Sequence, residues 1–345
     1  MRNKNTNDYK YDVIDLGYGF LKIPDPQKKG EVIKIKAVIA KLGESLDGNS
    51  SADVIEVDGV EYVVGSDVYA LNQKPITAND NEKRPELLAY KVLTLFGLAK
   101  FSITTDVKKR FLTGLPYQNL DEADIIKKNF QKVHEIKLNG KEITLDIDEA
   151  LVTSQGLGTL HTLVAQRGSV VFSKKIIIVD LGFRTVNYVT LINGLIDKDT
   201  VKTNPDLGIQ AAYKKIVNAV NIEFKKNFKF YDVDDLLDKG VPVQDKETGL
   251  KYERINERPY VIEALTVYAQ DVWADFIDKY DDKYREGLDE VVFGGGTAER
   301  VNDYLNQYKQ HFCSKLDNPQ DAQVLGYQEI ALKLEAAKAS AATSE

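Results

Sequence analysis

The stretch Lys174 to Ile192, KKIIIVDLGFRTVNYVTLI, decides the fold expected for this chain. Four consecutive apolar residues, Ile176 to Val179, predict a strand that is covered on both faces. The run ends in Asp180-Leu181-Gly182, and a second extended run follows almost at once. Gly182 permits the backbone angles and close approach that a turn around an anion requires, and a carboxylate beside such a turn can hold a hydrated metal ion. The stretch therefore predicts a buried strand, a tight polar turn and a returning strand.

The same arrangement occurs near the start of the chain. Tyr11 to Ile14 leads into Asp15-Leu16-Gly17-Tyr18-Gly19, and Phe20 to Ile23 runs back out with Lys22 included. Either unit alone is also compatible with an ordinary β-hairpin that has glycine in its turn. Two such units indicate two related halves whose loops face each other across a cleft. Each loop would offer backbone N–H groups and one carboxylate, which together would clamp a polyphosphate and its Mg²⁺.

Two further sequence elements are candidates for ligand binding or catalysis. Ala150 to Gly158 predicts a strand that leads through glycines into a helix, with Gln155 at the strand end, where ligand-facing residues of α/β folds usually lie. Glu290 to Thr297, EVVFGGGT, predicts a strand that enters a glycine turn before a helix. Three positions without side chains allow a flat ring or a ribose to lie against the backbone, and the helix N-terminus favours a phosphate. The alternative for Gln155 is a capping or solvated loop glutamine. The alternative for the glycine segment is a plain strand-to-helix turn.

Size and composition indicate a globular chain of about two domains. It has 345 residues, of which 43% are hydrophobic and 29% charged, and this is long enough for a substantial core. A single cysteine, Cys313, excludes an internal disulfide framework. The three histidines, His134, His161 and His311, have no metal-ligand spacing, which argues against zinc chemistry and Cys-His catalysis.

Charge and apolar patterning limit the partners. A net charge of −7 argues against direct binding of nucleic acid over the whole surface, because phosphate neutralisation requires clustered Lys and Arg. The apolar runs are far too short for a membrane span, and the N-terminal residues contain no apolar segment typical of a signal peptide. We therefore expect a cytoplasmic protein without membrane contact, and only an indirect link to DNA.

Turn residues and apolar periodicity predict the other elements. Asp58-Gly59 and Asn139-Gly140 each predict a tight hairpin, and Glu31 to Ala40 predicts one strand. The last eight residues, from Lys338, are expected to fray. A short helix is expected over Asp232 to Leu237, and the helix that begins at Asp121 is expected to end near Val133. Apolar stripes predict helices that begin at Pro85, Asp121, Ile209, Pro259 and Ala322.

With both hairpins, the Gln155 strand end and the Gly294 to Gly296 turn in this order, the chain resembles the actin/Hsp70/sugar-kinase ATPase superfamily. Within this superfamily, the chain is similar to the bacterial actin-like plasmid-segregation proteins, the ParM-like group. This weaker similarity includes the LTGLPY stretch and the ending Asn318-Pro319-Gln320 before Gly326-Tyr327. The resemblance implies an α/β fold of two actin-like domains, each a mixed sheet flanked by helices, with the nucleotide in the interdomain cleft.

The resemblance also implies the domain boundaries. Residues 1–175 would form domain I, with a small insertion at about 31–84, and residues 176–319 would form domain II, with an outer subdomain at about 209–285. The last helix, within 320–345, would pack back on domain I.

Positions that match the superfamily motifs carry the implied site. Asp15 and Asp180 would hold Mg²⁺ through water, and Gln155 would orient the attacking water, so that these three form the catalytic set. The implied nucleotide contacts are Gly17, Tyr18, Gly19, Lys22, Gly182, Phe183, Arg184, Thr185, Gly294, Gly295, Gly296 and Thr297. Phe183 and Arg184 stand where small residues are frequent, and Asn187 replaces a frequent aspartate, which leaves the phosphate contacts of the second loop open.

The implied activity is hydrolysis of ATP or GTP by in-line attack of water, coupled to assembly of a head-to-tail filament. Through a DNA-binding adaptor, this filament would move or position plasmid DNA. A small-molecule kinase of the same fold is the main alternative, although no sugar-binding constellation is evident. A chaperone-type ATPase is a third hypothesis, disfavoured because no peptide-binding region follows.

Overall fold

The computed structural model describes residues 10–43, 51–71, 73–78, 83–101, 106–245, 247, 249–308 and 313–343. The chain divides into two compact units. Unit 1 comprises the residues up to Gly168 together with those from Asp321 onward, and unit 2 comprises Ser169–Gln320. Among the described residues, no helix is both long and apolar enough to cross a membrane.

The elements of unit 1 before its C-terminal helix are strands joined by short helices. The strands are β1 (Asp12–Val13), β2 (Asp15–Leu16), β3 (Phe20–Pro24), β4 (Val32–Lys36), β5 (Val38–Lys41), β6 (Val54–Val57), β7 (Val60–Val64), β8 (Ile76–Thr77), β9 (Asp106–Leu115), β10 (Val133–Leu138) and β11 (Lys141–Ser154). The helices are α1 (Asp67–Ala70), α2 (Leu88–Ala99), α3 (Ala123–Phe130) and α4 (Gln155–Arg167), with 3₁₀ segments at Arg84–Glu86 and Tyr117–Glu122.

Unit 2 contains a second set of strands and helices, after which the chain returns to unit 1. The strands are β12 (Lys175–Leu181), β13 (Val186–Ile192), β14 (Leu195–Ile196), β15 (Lys202–Asn204), β16 (Val241–Val243), β17 (Lys251–Glu253), β18 (Glu290–Gly294) and β19 (Cys313–Lys315). The helices are α5 (Gln210–Phe224), α6 (Val233–Lys239), α7 (Pro259–Lys279), α8 (Asp282–Glu286) and α9 (Ala298–Leu305), and α10 (Ala322–Thr343) belongs to unit 1.

The main sheet of unit 1 has the strand order β1-β9-β11-β10-β6-β7-β5-β8, in which β1, β9 and β11 are parallel. Strands β2, β3 and β4 form a smaller antiparallel sheet. Helix α2 is buried along most of its length and packs into the core between these strands. Three parallel strands therefore end at one edge of unit 1, which is the edge where ligands bind in α/β folds.

Unit 2 is built around β12, which is fully apolar and buried from Ile176 to Val179. Its sheet has the order β14-β13-β12-β18-β19, with β15 paired to β13. Strands β12, β18 and β19 are parallel, and β13 runs back antiparallel to β12. The core includes the rings of Tyr213, Tyr268 and Phe276 from α5 and α7. The predicted buried strand, tight turn and returning strand are confirmed.

Helix α10 is fixed to unit 1 at both ends. A Cβ atom added at Gly326 would overlap the backbone of Gly158 in α4, so these two helices cross at backbone contact. Farther along, Lys338 forms an ion pair with Glu149 of 2.6 Å and also contacts the Tyr11 hydroxyl. The expectation that the chain frays from Lys338 is wrong, because this ion pair holds the helix, which continues to Thr343.

Both turn predictions are confirmed, whereas several element boundaries are wrong. Asp58-Gly59 and Asn139-Gly140 have the positive φ angles that the tightest hairpin turns require. The strand expected from Glu31 to Ala40 divides at Ala37, where the chain leaves the small sheet and enters the main one. The helix expected from Asp121 to Val133 covers only Ala123–Phe130, since Val133 begins β10. The helix expected from Pro85 begins at Leu88, because Leu87 is extended after a separate 3₁₀ segment at Arg84–Glu86.

Candidate functional site

The first predicted loop joins β2 and β3 in unit 1. Asp15 and Lys22 lie opposite each other in these strands, and Lys22 Nζ lies 3.6 Å from Asp15 Oδ2. Asp15 is 4% exposed and Lys22 is 9% exposed. A carboxylate and an ammonium group so far removed from water are costly to bury unless each has a charged partner. This pair therefore places an acidic and a basic side chain next to each other beside the loop.

The backbone of this loop is held by three separate donors. The Gly17 N–H closes the turn by donating to the Phe20 carbonyl at 2.9 Å. One Nη of Arg84 donates to the carbonyls of Leu16 and Gly17, each at 3.1 Å. The Ala37 N–H donates to the Gly19 carbonyl at 2.9 Å. Sequence reasoning missed Arg84, because no local pattern links it to a loop that far away in the chain.

The Tyr18 ring lies against Arg84, 4.1 Å from the guanidinium carbon to the ring centroid. Its side chain is therefore used in holding the loop, so a nucleotide contact at this position would come from the backbone. Burial, with a smaller contribution from the carboxylates of Asp15 and Glu122, raises the pKa of nearby Tyr90 to about 12, although Arg84 and a hydrogen bond with Thr113 lower it. Its phenol thus stays neutral at physiological pH.

Gln155 lies at the same edge of unit 1 as Asp15. It is the first residue of α4, directly after β11, and is half-buried. Strand β9 pairs in parallel with β1 on one side and with β11 on the other, so β1 and β11 end at the same edge. Asp15 lies shortly after β1, and Gln155 directly follows β11. The predicted position of Gln155 at a strand end is confirmed.

One more carboxylate lies close to this edge. Glu122 ends the 3₁₀ segment that follows β9, is 8% exposed and accepts a hydrogen bond of 2.9 Å from Asn119 Nδ2. No sequence pattern singles out Glu122, because its burial depends on how this segment folds against the rest of unit 1.

The second predicted loop, Gly182 to Thr185, joins β12 and β13 in unit 2. The Gly182 N–H donates to the Thr185 carbonyl at 2.9 Å, which closes the turn. The Phe183 ring packs against Tyr213 and Phe230, at 6.2 Å and 5.8 Å between centroids. The Phe183 ring, which is partly buried, therefore anchors the loop against the core.

The other loop residues are fixed by neighbouring elements. The Gln210 N–H, at the start of α5, donates to the Phe183 carbonyl at 3.0 Å. Gly208 has no room for a side chain because a Cβ atom there would overlap the backbone of Arg184. Asn187 donates to Thr185 Oγ1 at 3.4 Å and accepts from Thr203 Oγ1 at 2.8 Å. The asparagine that departs from the superfamily pattern thus connects the loop to β15.

The third predicted element contacts the second directly. Asp180 pairs with Gly294 across β12 and β18. Gly295 has φ +92°, and a Cβ atom there would overlap Asp180 Oδ1 and lie 2.6 Å from the Leu181 nitrogen. Thr297 donates to the Leu181 carbonyl through its N–H at 3.1 Å and its Oγ1 at 3.0 Å. For a Cβ atom at Gly296, in contrast, the one contact within 4 Å among the described residues is with Gln320, at 3.9 Å.

Each unit therefore has a glycine turn with a carboxylate at the preceding strand end. Within the described residues, no group of three or more His, Cys, Asp or Glu side chains could hold a metal ion. Asp15 and Asp180 are each a single carboxylate, the donor type that Mg²⁺ takes when water and phosphate oxygens supply its other ligands. His134 lies in unit 1 and contacts the Phe130 carbonyl, whereas His311 lies outside the described residues.

Comparisons with known proteins support the same fold. Residues 13–158 match the family model described as actin like proteins N terminal domain. The archaeal actin homologue Ta0583 in complex with ADP is 17% identical, with a TM-score of 0.74 over 94% of this chain and 99% of that one. The chain has an actin-like fold. The predicted resemblance and the predicted α/β fold class are thereby confirmed.

Two bacterial ParM structures are similar to this actin-like chain over nearly its whole length. The ParM of a 15-stranded filament from Clostridium botulinum is 18% identical, with a TM-score of 0.73 and coverage of 94% of this chain and 99% of that one. ParM from Bacillus thuringiensis with AMPPNP is 17% identical, with a TM-score of 0.66 and coverage of 94% and 99%. A comparison of the sequence with curated proteins gives no significant match.

We predict that Gly295→Ala destabilises unit 2 by about 2 kcal/mol or more, because a positive φ and overlap with a neighbouring side chain both oppose a methyl group. Denaturant unfolding measures the loss. Gly287→Ala is the matched control, since its Cβ would lie 3.6 Å from Lys175 Nζ and 3.9 Å from a carbonyl, which are ordinary contacts. A Gly295→Ala protein as stable as the Gly287→Ala protein would contradict the close approach of Asp180 and Gly295.

Proposed function

We propose that this chain binds ATP or GTP with Mg²⁺, hydrolyses it, and assembles into a filament that moves or positions plasmid DNA through a DNA-binding adaptor in the cytoplasm. The observation that carries the proposal is the repeated loop. In each unit a strand ends in an aspartate, a glycine turn follows, and the turn's backbone is held from behind by other elements. Two such loops suit a polyphosphate better than any neutral ligand.

The residues of unit 1 supply most of the chemistry. Lys22, next to Asp15, neutralises charge on the transferring phosphoryl group. Gln155, at the strand end, orients the attacking water, and as a neutral amide it acts by position and not as a base. Asp15 and Asp180 would hold Mg²⁺ through water, and the ion would supply positive charge to the phosphate groups. In unit 2, the backbone of Gly182 to Thr185 binds phosphate, and Gly296 leaves room for the adenosine portion.

Assembly is the second part of the proposal. One similar structure is a ParM filament, and others are complexes with ADP and AMPPNP. A head-to-tail contact between identical chains that does not close produces an open filament. Strand β17, within the expected outer subdomain, carries the charged residues Lys251 and Glu253, and we infer that such charges contribute to the contact.

Sedimentation and light scattering with and without nucleotide test the assembly. We expect assembly only with ATP or GTP and Mg²⁺, and a critical concentration that rises with ionic strength because salt screens charged contacts. A chain that remains monomeric with nucleotide at high concentration and low salt, yet releases ADP when a small substrate is added, would favour the kinase.

We further predict that Gln155→Ala slows hydrolysis by roughly 10²-fold, the order expected for loss of one contact that acts only in the transition state. Nucleotide binding and assembly should change little, so filaments of the variant should persist longer after nucleotide is exhausted. Gln166→Ala, in the last turn of the same helix, is the control. Disassembly of Gln155→Ala filaments at the wild-type rate would show that Gln155 does not couple hydrolysis to filament lifetime.

A further inference from the structure

The first glycine loop is held by donors from the two ends of the segment inserted after it. Ala37, at the break between β4 and β5, donates to the Gly19 carbonyl. Arg84, in the 3₁₀ segment before α2, donates to the carbonyls of Leu16 and Gly17. The carbonyls of Leu16, Gly17 and Gly19 are thus all turned towards the insertion, and Arg84 alone holds two of them.

This arrangement determines where the loop N–H groups point. In a trans peptide the C=O of one residue and the N–H of the next point in opposite directions. With the Gly17 carbonyl held by Arg84, the Tyr18 N–H points away from Arg84. With the Gly19 carbonyl held by Ala37, the Phe20 N–H points away from Ala37. A loop that presents N–H groups and turns its carbonyls away is the geometry that binds an anion.

Arg84 is itself fixed in place. Its Nε donates to the Ala78 carbonyl at 3.1 Å, and its guanidinium lies over the Tyr18 ring at 4.1 Å. This combination requires a planar group with several donors in fixed directions, which lysine does not have. These contacts indicate that Arg84 has a specific role at the loop and is not a solvated surface charge.

We propose that Arg84 is a positioning residue that keeps the carbonyls of the first loop away from the phosphates and so makes nucleotide affinity depend on the inserted segment. This inference rests on the proposed function, in which the loop binds nucleotide. Arg84 does not contact the reacting atoms in this account. It acts through the backbone of Leu16 and Gly17, and a change in the inserted segment would alter affinity through the same bonds.

The test compares Arg84→Ala and Arg84→Lys with Arg110→Ala. Arg110 is a matched control, because it forms a two-pronged pair with Asp148 in the same unit, with bonds of 2.8 to 3.1 Å. Titration with Mg-ATP and steady-state hydrolysis are the measurements. We expect Arg84→Ala to weaken nucleotide binding by about tenfold to a hundredfold, as for the loss of charge-assisted hydrogen bonds. Turnover at saturating nucleotide should stay within about twofold of wild type.

Arg84→Lys should restore only part of the affinity, since it keeps the charge and loses the two carbonyl bonds. Arg110→Ala should bind nucleotide as wild type does. Unchanged affinity in Arg84→Ala, or full affinity in Arg84→Lys, would overturn the inference. If Arg84→Ala does not fold, the comparison of Arg84→Lys with wild type decides the question.

Hydrogen exchange without nucleotide separates this inference from the proposed function. Peptides that cover residues 16–22 should exchange faster in Arg84→Ala than in wild type or Arg110→Ala, because the Gly17 N–H bond loses its support. Unchanged exchange would overturn the positioning role. A wild-type chain that binds no nucleotide would overturn the proposed function, while faster exchange in Arg84→Ala would still support the positioning of the loop by Arg84.

Discussion

The close approach of Asp180 to Gly295 is the constraint on which the site in unit 2 depends. Strands β12 and β18 run parallel and end together, so that Asp180 pairs with Gly294 and the next residue must turn away at once. Only a residue without a side chain fits there with φ +92°. The glycine run thus serves first to let the turn pack against the carboxylate at Gly295, whereas Gly296 leaves open space beside the backbone.

The two units hold their glycine turns in place through different contacts. In unit 1, Asp15 is buried with Lys22 as its charged partner, and Arg84 holds the turn through carbonyl groups. In unit 2, the anchored ring of Phe183 and the start of α5 hold the turn. A loop that binds an anion must keep its N–H groups oriented before the ligand arrives, since reordering a flexible loop weakens binding. In both units, the support comes from elements distant in sequence.

The sequence predicted those features that short-range chemistry determines. The Asp-Gly and Asn-Gly hairpins, the apolar strand before Asp180 and the position of Gln155 at a strand end all follow from a few adjacent residues. The predictions failed where a distant partner decides: the break at Ala37 depends on a bond to Gly19, and α10 persists past Lys338 because of Glu149. Arg84 and Glu122 could not be found for the same reason. The predicted ligand contacts remain predictions.

We propose that the glycine loop of each unit takes part in nucleotide binding. Calorimetric titration of Mg-ATP into wild type, Asp15→Ala and Asp180→Ala tests this most directly. The account predicts a single nucleotide per wild-type chain, and each substitution should weaken that one binding event, because each removes a negative charge from the surroundings of the metal. Two independent binding events in wild type, or a substitution at either aspartate that leaves the affinity for Mg-ATP unchanged, would contradict it.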